Sequence, residues 1–470
     1  MRTKLLLSSL ILFALVASIA ARAAAPSPPP AQQQLARDIF RELIEINTVT
    51  ATGDTGRAAE AMAARLLAAG FPAADVQVFK PGPRKGNLVA RLRGTGARKP
   101  IILLAHLDVV DARRADWSLE PFQLTERDGN FYGRGATDDK HMVAAYVATL
   151  LRFRQEGYRP DRDLILVLST DEEASSPGGP YGIEWLVRNH RDLLDAEYAL
   201  NEGGGVGTKQ GRPVENDFQT CEKVYQSYWL EVRNPGGHSS LPSKDNAIYR
   251  LAAGLGRLAA FDFPVHLNDT TRAYFERAAA MEQGQLAADM QAVTRPQPDP
   301  AAVARLSAIP LYNAQLRTTC VATRLEAGHA DNALPQTARA LVNCRIVPGE
   351  AEQEVRATLV RVLADNQIST TPAGLSAESP ASPLHPELLP AVEKLTAEFF
   401  PGTPVIPTMC TGATDGRILR NAGIPTYGTD GFALDLLDVR AHGRDERIPV
   451  QSFYTGVEFS YQLVKALSGG

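Results

Sequence analysis

Four short apolar runs constrain the fold of this chain more than any other feature. Residues 87–92, 101–105, 164–169 and 198–200 are each too short for a helix. Runs of this length and composition fit strands buried on both faces, and helical segments at 142–155 and 182–188 separate some of them. Upstream, Leu35, Ile39, Leu43 and Ile46 recur at helical spacing, and residues 57–69 repeat the pattern with strong helix formers. The alternation predicts an α/β fold, a largely parallel sheet flanked by helices.

The style changes near Glu222. Residues 224–232 alternate like a half-buried strand with Tyr225, Ser227, Trp229 and Glu231 on one face. An apolar helix at 246–261, strand-like runs at 316–325 and 338–346, and a helix at 350–363 follow. These read as a small α+β unit. Beyond the Pro-, Ser- and Ala-rich stretch 372–383 the first style returns, with a helix at 387–399 and a strand at 424–428. The predicted organisation is therefore one α/β domain split between 34–222 and 368–470 around an insert at 223–367. The stretch 269–310 is a long excursion with no role assigned, and there is no internal repeat.

Composition decides compartment and partners. Lys and Arg total 49 and Asp and Glu 53, so the formal charge is −4, with no basic run able to follow a phosphate backbone; nucleic acid is excluded as a partner. Arg2 and Lys4 precede an apolar run, and Ala20, Ala21, Arg22 and Ala23 supply small residues for cleavage. This is the pattern of a signal peptide over 1–23, followed by a Pro/Ala/Gln linker at 24–33. A membrane anchor is the competing reading, weakened by the shortness of the run. The expected location is periplasmic or secreted, with no membrane association after cleavage. Export permits disulfides, but whether Cys320 and Cys344 pair stays open.

In open α/β sheets reactive groups collect at the carboxyl ends of strands. Here His106 to Asp108 follow the run 101–105, Asp171, Glu172 and Glu173 follow 164–169, and Asn201 and Glu202 follow 198–200. A glycine-rich loop holding Asp138 and Asp139 opens a helix. Each acid alone reads equally well as a helix cap or solvated loop residue; their recurrence at equivalent places points to a shared site. Imidazole with several carboxylates and no local cysteine pair suits Zn2+, and the surplus of acids suits two ions with a carboxylate left over as a base.

His106-Leu107-Asp108, Trp117, Gly133-Arg134-Gly135, Asp138-Asp139-Lys140, Asp171-Glu172-Glu173, Asn201-Glu202-Gly203 and Gly236-Gly237-His238-Ser239-Ser240 together resemble the M20 family of metallopeptidases. The resemblance implies a zinc-peptidase catalytic domain carrying an inserted lid that often dimerises, and two Zn2+ per chain. It implies His106, Asp138, Glu173, Glu202 and His442 as metal ligands, with Asp138 bridging. Glu172 corresponds to the general base, Asp108 to the carboxylate orienting His106, and His238 to the lid histidine that polarises the scissile carbonyl, sometimes across a dimer. Asn332 and Arg345 resemble a lid pair that contacts substrate, Arg345 gripping its carboxylate, and Gly412 lies in the substrate loop 411–417. The peptide bond after Asp138 is often cis in such proteins. His141 departs from the pattern, since relatives commonly have Gly there; by itself it reads as a solvated residue of the first helical turn. Cys410 as a nucleophile finds no support, because no histidine base is assigned to it. The implied activity is cleavage of the amide bond of short peptides or N-acyl amino acids with a free carboxylate. Deacylation of non-peptide amides, or peptide binding without catalysis, are the alternatives.

Overall fold

The computed structural model describes residues 25–174, 181–374 and 378–469. The predicted signal peptide lies outside the described residues. The predicted linker is shorter than expected, because the first helix spans Pro30–Glu45. Proline at the first helical position lacks only an N–H that has no partner there anyway.

A ten-stranded sheet forms the main body. Its centre is parallel: Leu164–Ser169, Ile101–His106, Tyr198–Asn201 and Thr426–Gly428 lie side by side in that order. The flanks are largely antiparallel, through Lys85–Leu92 on one side and Arg212–Glu222 on the other. The sheet is thus mixed, with the expected parallel arrangement confined mainly to the strands whose ends carry the acids. Its buried runs are covered on both faces. Along Ile101–His106, Ile101, Leu103 and Ala105 pack into one core with the helices Pro30–Glu45, Lys140–Glu156 and Val450–Leu467. Ile102 and Leu104 pack into another with Ile183 and Leu186. Period-two alternation with apolar residues on both sides explains why these strands read as continuous apolar runs.

A second sheet, in the order Thr319–Ala327, Thr337–Ile346, Val224–Arg233, Ser369–Pro372, is antiparallel throughout. It extends past residue 367 because Ser369–Pro372 pairs with Val224–Arg233. Helices Ala247–Ala259 and Glu352–Leu363 cover it, with a core built on Tyr228, Leu230, Val342 and Leu359. Cys320 and Cys344 face one another across this sheet and form a disulfide.

The excursion is four helices, Asp269–Ala279, Gly284–Val293, Pro300–Ser307 and Pro310–Leu316, with a separate core around Phe275, Met290, Val293 and Leu316. The last of them ends on Leu316, the residue expected to begin a strand, and the strand starts only at Thr319. The group docks on the large sheet: Arg277 donates to the carbonyl of Val405 at 2.8 Å and pairs with Glu393 at 2.6 Å.

Candidate metal and active site

Three adjacent strand ends bring the acids together. Neighbouring strands stand about 4.8 Å apart, and His106 is paired in register with Ser169, so the residues after Ser169 and Asn201 flank the His106 ring. The His106 Nε2 lies 3.0 Å from Asp138 Oδ1 and 3.5 Å from Glu202 Oε2. His442, on a distant loop where its φ is +62°, places Nε2 2.9 Å from Asp138 Oδ2 and 2.7 Å from Glu173 Oε1. Asp138 therefore presents one oxygen to each imidazole. The donor atoms of His106, Asp138 and Glu202, and separately those of Asp138, Glu173 and His442, lie within 4.8 Å of one another. Borderline nitrogen and hard oxygen donors, two sets sharing one carboxylate, fit a pair of divalent ions.

Burial works against charge on His106, but Glu202 and Asp138 outweigh it and raise its pKa well above the ordinary value. Hydrogen bonds with Asp138 and Glu173 raise His442 to about 10. Glu172 is pushed up by burial, with Glu202 adding to the effect.

One assignment changes in detail. His106 Nδ1 bonds to the backbone carbonyl of Asp108 at 2.9 Å, while the Asp108 carboxylate stands 3.9 Å away. That carboxylate accepts the backbone N–H groups of Glu172 at 3.2 Å and Glu173 at 3.0 Å. Asp108 thus orients the ring through its main chain and the acidic turn through its side chain. His141 is buried rather than solvated, its ring edge-on to Phe432 at 4.4 Å. A helix packed against the core on nearly every side leaves its first turn no water. The Asp138-Asp139 peptide is cis.

The structure gives positioning roles to several residues that the sequence left without one. Glu446 is buried, pairs with Arg134 at 2.6 Å and accepts from the backbone of Gly135 and Thr137 at 3.0 and 2.7 Å. Arg134 also donates to the carbonyls of His442 and Gly443. The pair ties the loop bearing Asp138 to the loop bearing His442. Lys140, fully buried, donates to the carbonyls of Leu43 and Ile46 at 2.8 and 2.9 Å. A nearby acid, Asp415, accepts from Ser169 Oγ at 2.6 Å and draws the loop 411–417 onto the cluster. Gly428 allows the backbone after Glu202 to pass, since a β-carbon there would meet the Gly203 carbonyl at 1.5 Å.

The substrate-contact candidates separate. Gly412 donates its N–H to Cys410 Sγ at 3.2 Å, and burial lifts that thiol to about 11, which removes the chemistry a nucleophile needs. Arg345 lies near enough for its charge to act on Cys410, and its guanidinium stacks on Tyr225 at 4.7 Å. His238 and Asn332 instead share a short ribbon: Gly237–His238 pairs with Ala333–Leu334, and Ser239 donates to the Asn332 carbonyl at 3.0 Å. The ribbon joins the far end of the strand Thr337–Ile346, and the run from Thr337 to Arg345 spans about 26 Å at ~3.3 Å per residue. His238 is exposed and bonds only to Ser240 among side-chain partners in the described residues. Asn332 and Arg345 are therefore not a contacting pair.

A family model described as peptidase family M20/M25/M40 matches residues 102–466. The N-fatty-acyl-amino acid synthase/hydrolase PM20D1 of Xenopus tropicalis is 32% identical over 373 residues, covering 78% of this chain and 72% of that protein. The M20 family metallo-carboxypeptidase Sso-CP2 of Sulfolobus solfataricus superposes with a TM-score of 0.66 at 18% identity, covering 92% and 98% of the two chains. The YXEP protein of Bacillus subtilis, a dinuclear metal binding peptidase, gives a TM-score of 0.56 at 14% identity, covering 94% and 100%.

Proposed function

This chain belongs to peptidase family M20/M25/M40, a family of metal-dependent hydrolases, and on that premise we propose an exported, two-zinc amidohydrolase. Its substrates are short peptides or N-acyl amino acids with a free carboxylate. The observation that carries this reading is Asp138, whose two oxygens face His106 and His442 at 3.0 and 2.9 Å. When bound, the ions supply Lewis acidity, polarising a carbonyl and making water acidic enough to attack it at neutral pH.

The chain's residues do the rest. Glu172 takes the proton from the attacking water and returns it to the leaving amine. Its position is set by the hydrogen bond from its N–H to Asp108. Arg345, near the end of an inner strand of the second sheet and close enough to Cys410 for its charge to act there, holds the substrate carboxylate with its planar fork. His238 donates to the developing oxyanion.

A hydrolysis screen of N-acyl amino acids and dipeptides alongside their C-terminal amides tests the substrate assignment. The acids are expected to be turned over at least about tenfold faster than the amides, and Arg345→Ala to erase that preference with metal content intact. Equal turnover of acid and amide by the native chain removes the clamp role from Arg345.

The distance of the ribbon from Arg345 favours His238 acting on the site of a second copy in a lid-mediated homodimer. Mixing His238→Ala chains with Glu172→Gln chains, each inactive alone, should then restore up to about a quarter of native activity, because half the dimers are mixed and each has one complete site. Verified mixed dimers without recovery assign completion of the site to closure within one chain.

A further inference from the structure

Three helices of the excursion, Asp269–Ala279, Gly284–Val293 and Pro310–Leu316, form one wall of a cavity of about 570 Å3, and the strands Arg212–Glu222 and Val405–Cys410 contribute to the facing side. Gly203, next to Glu202, and Thr411, next to Gly412, both line the cavity, so it runs beside the candidate metal centre. On Arg212–Glu222, Glu215, Asp217 and Gln219 recur at every second residue, share a face, and all line the cavity. Tyr274 and Tyr312 of the helices line it too.

The two half-buried carboxylates of this cavity lack donors. Neither Glu215 nor Asp217 has a hydrogen-bond or ion-pair partner for its carboxylate among the described residues. Gln219 is 4% exposed and makes no side-chain hydrogen bond there. Gln315 is 5% exposed; its Nε2 donates to the Met409 carbonyl at 3.0 Å, and its Oε1 is left buried with no partner. Burial, with Glu215 adding to it, lifts the Asp217 carboxyl to about 7, as for an acid short of a cation. Lys209, also lining the cavity, lies close enough for its charge to act on Glu215 but forms no ion pair with either acid among the described residues.

We propose that this cavity is a substrate subsite for a cationic group, a primary ammonium or a guanidinium on an aliphatic stem, flanking the scissile amide. The proposal rests on the amidohydrolase reading for the site it adjoins. A cation of this kind carries only donors, three or five of them, and so matches two unpaired carboxylates and the unpartnered Gln315 amide oxygen. Its stem suits the tyrosine rings, whose faces also attract positive charge. A purely hydrocarbon guest would take the same carboxylates further from water and return no hydrogen bond, which is unfavourable. The excursion thereby acquires a role: it converts one flank of the large sheet into a pocket that distinguishes substrates by charge.

Calorimetric titration of the zinc-loaded full chain carrying Glu172→Gln tests this with five probes: Ala-Lys, Lys-Ala, their two norleucine counterparts, and N-lauroyl-alanine. Lysine at one of the two positions is expected to bind at least about tenfold more tightly than norleucine at the same position. Adding Glu215→Gln and Asp217→Asn should erase that ratio while leaving norleucine binding unchanged or tighter. If the combined variant does not fold, Glu215→Gln alone should shift the ratio in the same direction. No lysine preference at either position, whether through equal binding or through none, overturns the subsite, as does a preference for the lauroyl probe. Turnover of the same probes by the chain with native Glu172 is followed in parallel. Lysine-selective binding without any hydrolysis would overturn the amidohydrolase reading and leave the cationic subsite standing.

Discussion

Glu172→Gln is expected to leave bound metal unchanged and to lower kcat by about 10² to 10⁴-fold, the range for removal of a positioned general acid and base. The amide is nearly isosteric, keeps the N–H bond to Asp108, and has no basic oxygen to take a proton. The two ligand sets that share Asp138 each bring three other donors together without Glu172, although the Glu172 carboxylate also lies within 4.8 Å of donor atoms of His106 and Glu173. Metal analysis of the purified variant beside single-turnover kinetics separates the two effects. Loss of metal together with activity would make Glu172 a ligand; full activity with metal present would remove it from the mechanism.

Glu446→Ala is expected to destabilise the chain by ~3–5 kcal/mol, the usual consequence of leaving a buried charge without its partner. Arg134 and Glu446 are 2% and 0% exposed, and among the described residues no other acid lies at hydrogen-bond distance from Arg134. The same substitution frees the backbone donors of Gly135 and Thr137. Because Arg134 also holds the His442 and Gly443 carbonyls, the loop carrying one ligand loses its tie to the loop carrying Asp138. Zinc affinity should therefore fall with stability, whereas loss of a mere packing contact would lower stability alone. Denaturant unfolding of the metal-free chain, paired with a zinc titration, reads both. Unchanged zinc affinity in the folded variant would confine Glu446 to a structural role.

What could be read from the chain before its structure follows from how local the signals are. The runs at 101–105 and 164–169 announced buried strands because their residues face two cores at once, and strands of this kind place whatever follows them at one edge. The motifs around His106, Asp138, Glu172 and Glu202 were legible for that reason, and so was the change of style near Glu222, where a two-faced buried sheet gives way to one covered on a single side.

Tertiary structure alone decided the rest, because it depends on groups far apart in the chain. Glu446 reads as one more acid in a polar loop until Arg134, 312 residues away, is seen against it. His141 sits at a position that a helix could turn toward water, and only the packing of Phe432 and the surrounding core buries it. Cys320 and Cys344 could be judged candidates for a bridge, yet their pairing depends on strand register, which a one-residue slip would reverse. The stretch 269–310 carries nothing in its own sequence to say which surface it covers. Its docking on Val405–Cys410 turns Glu215, Asp217 and Gln219, three polar residues on one face of a strand, into the wall of a pocket beside the metal centre.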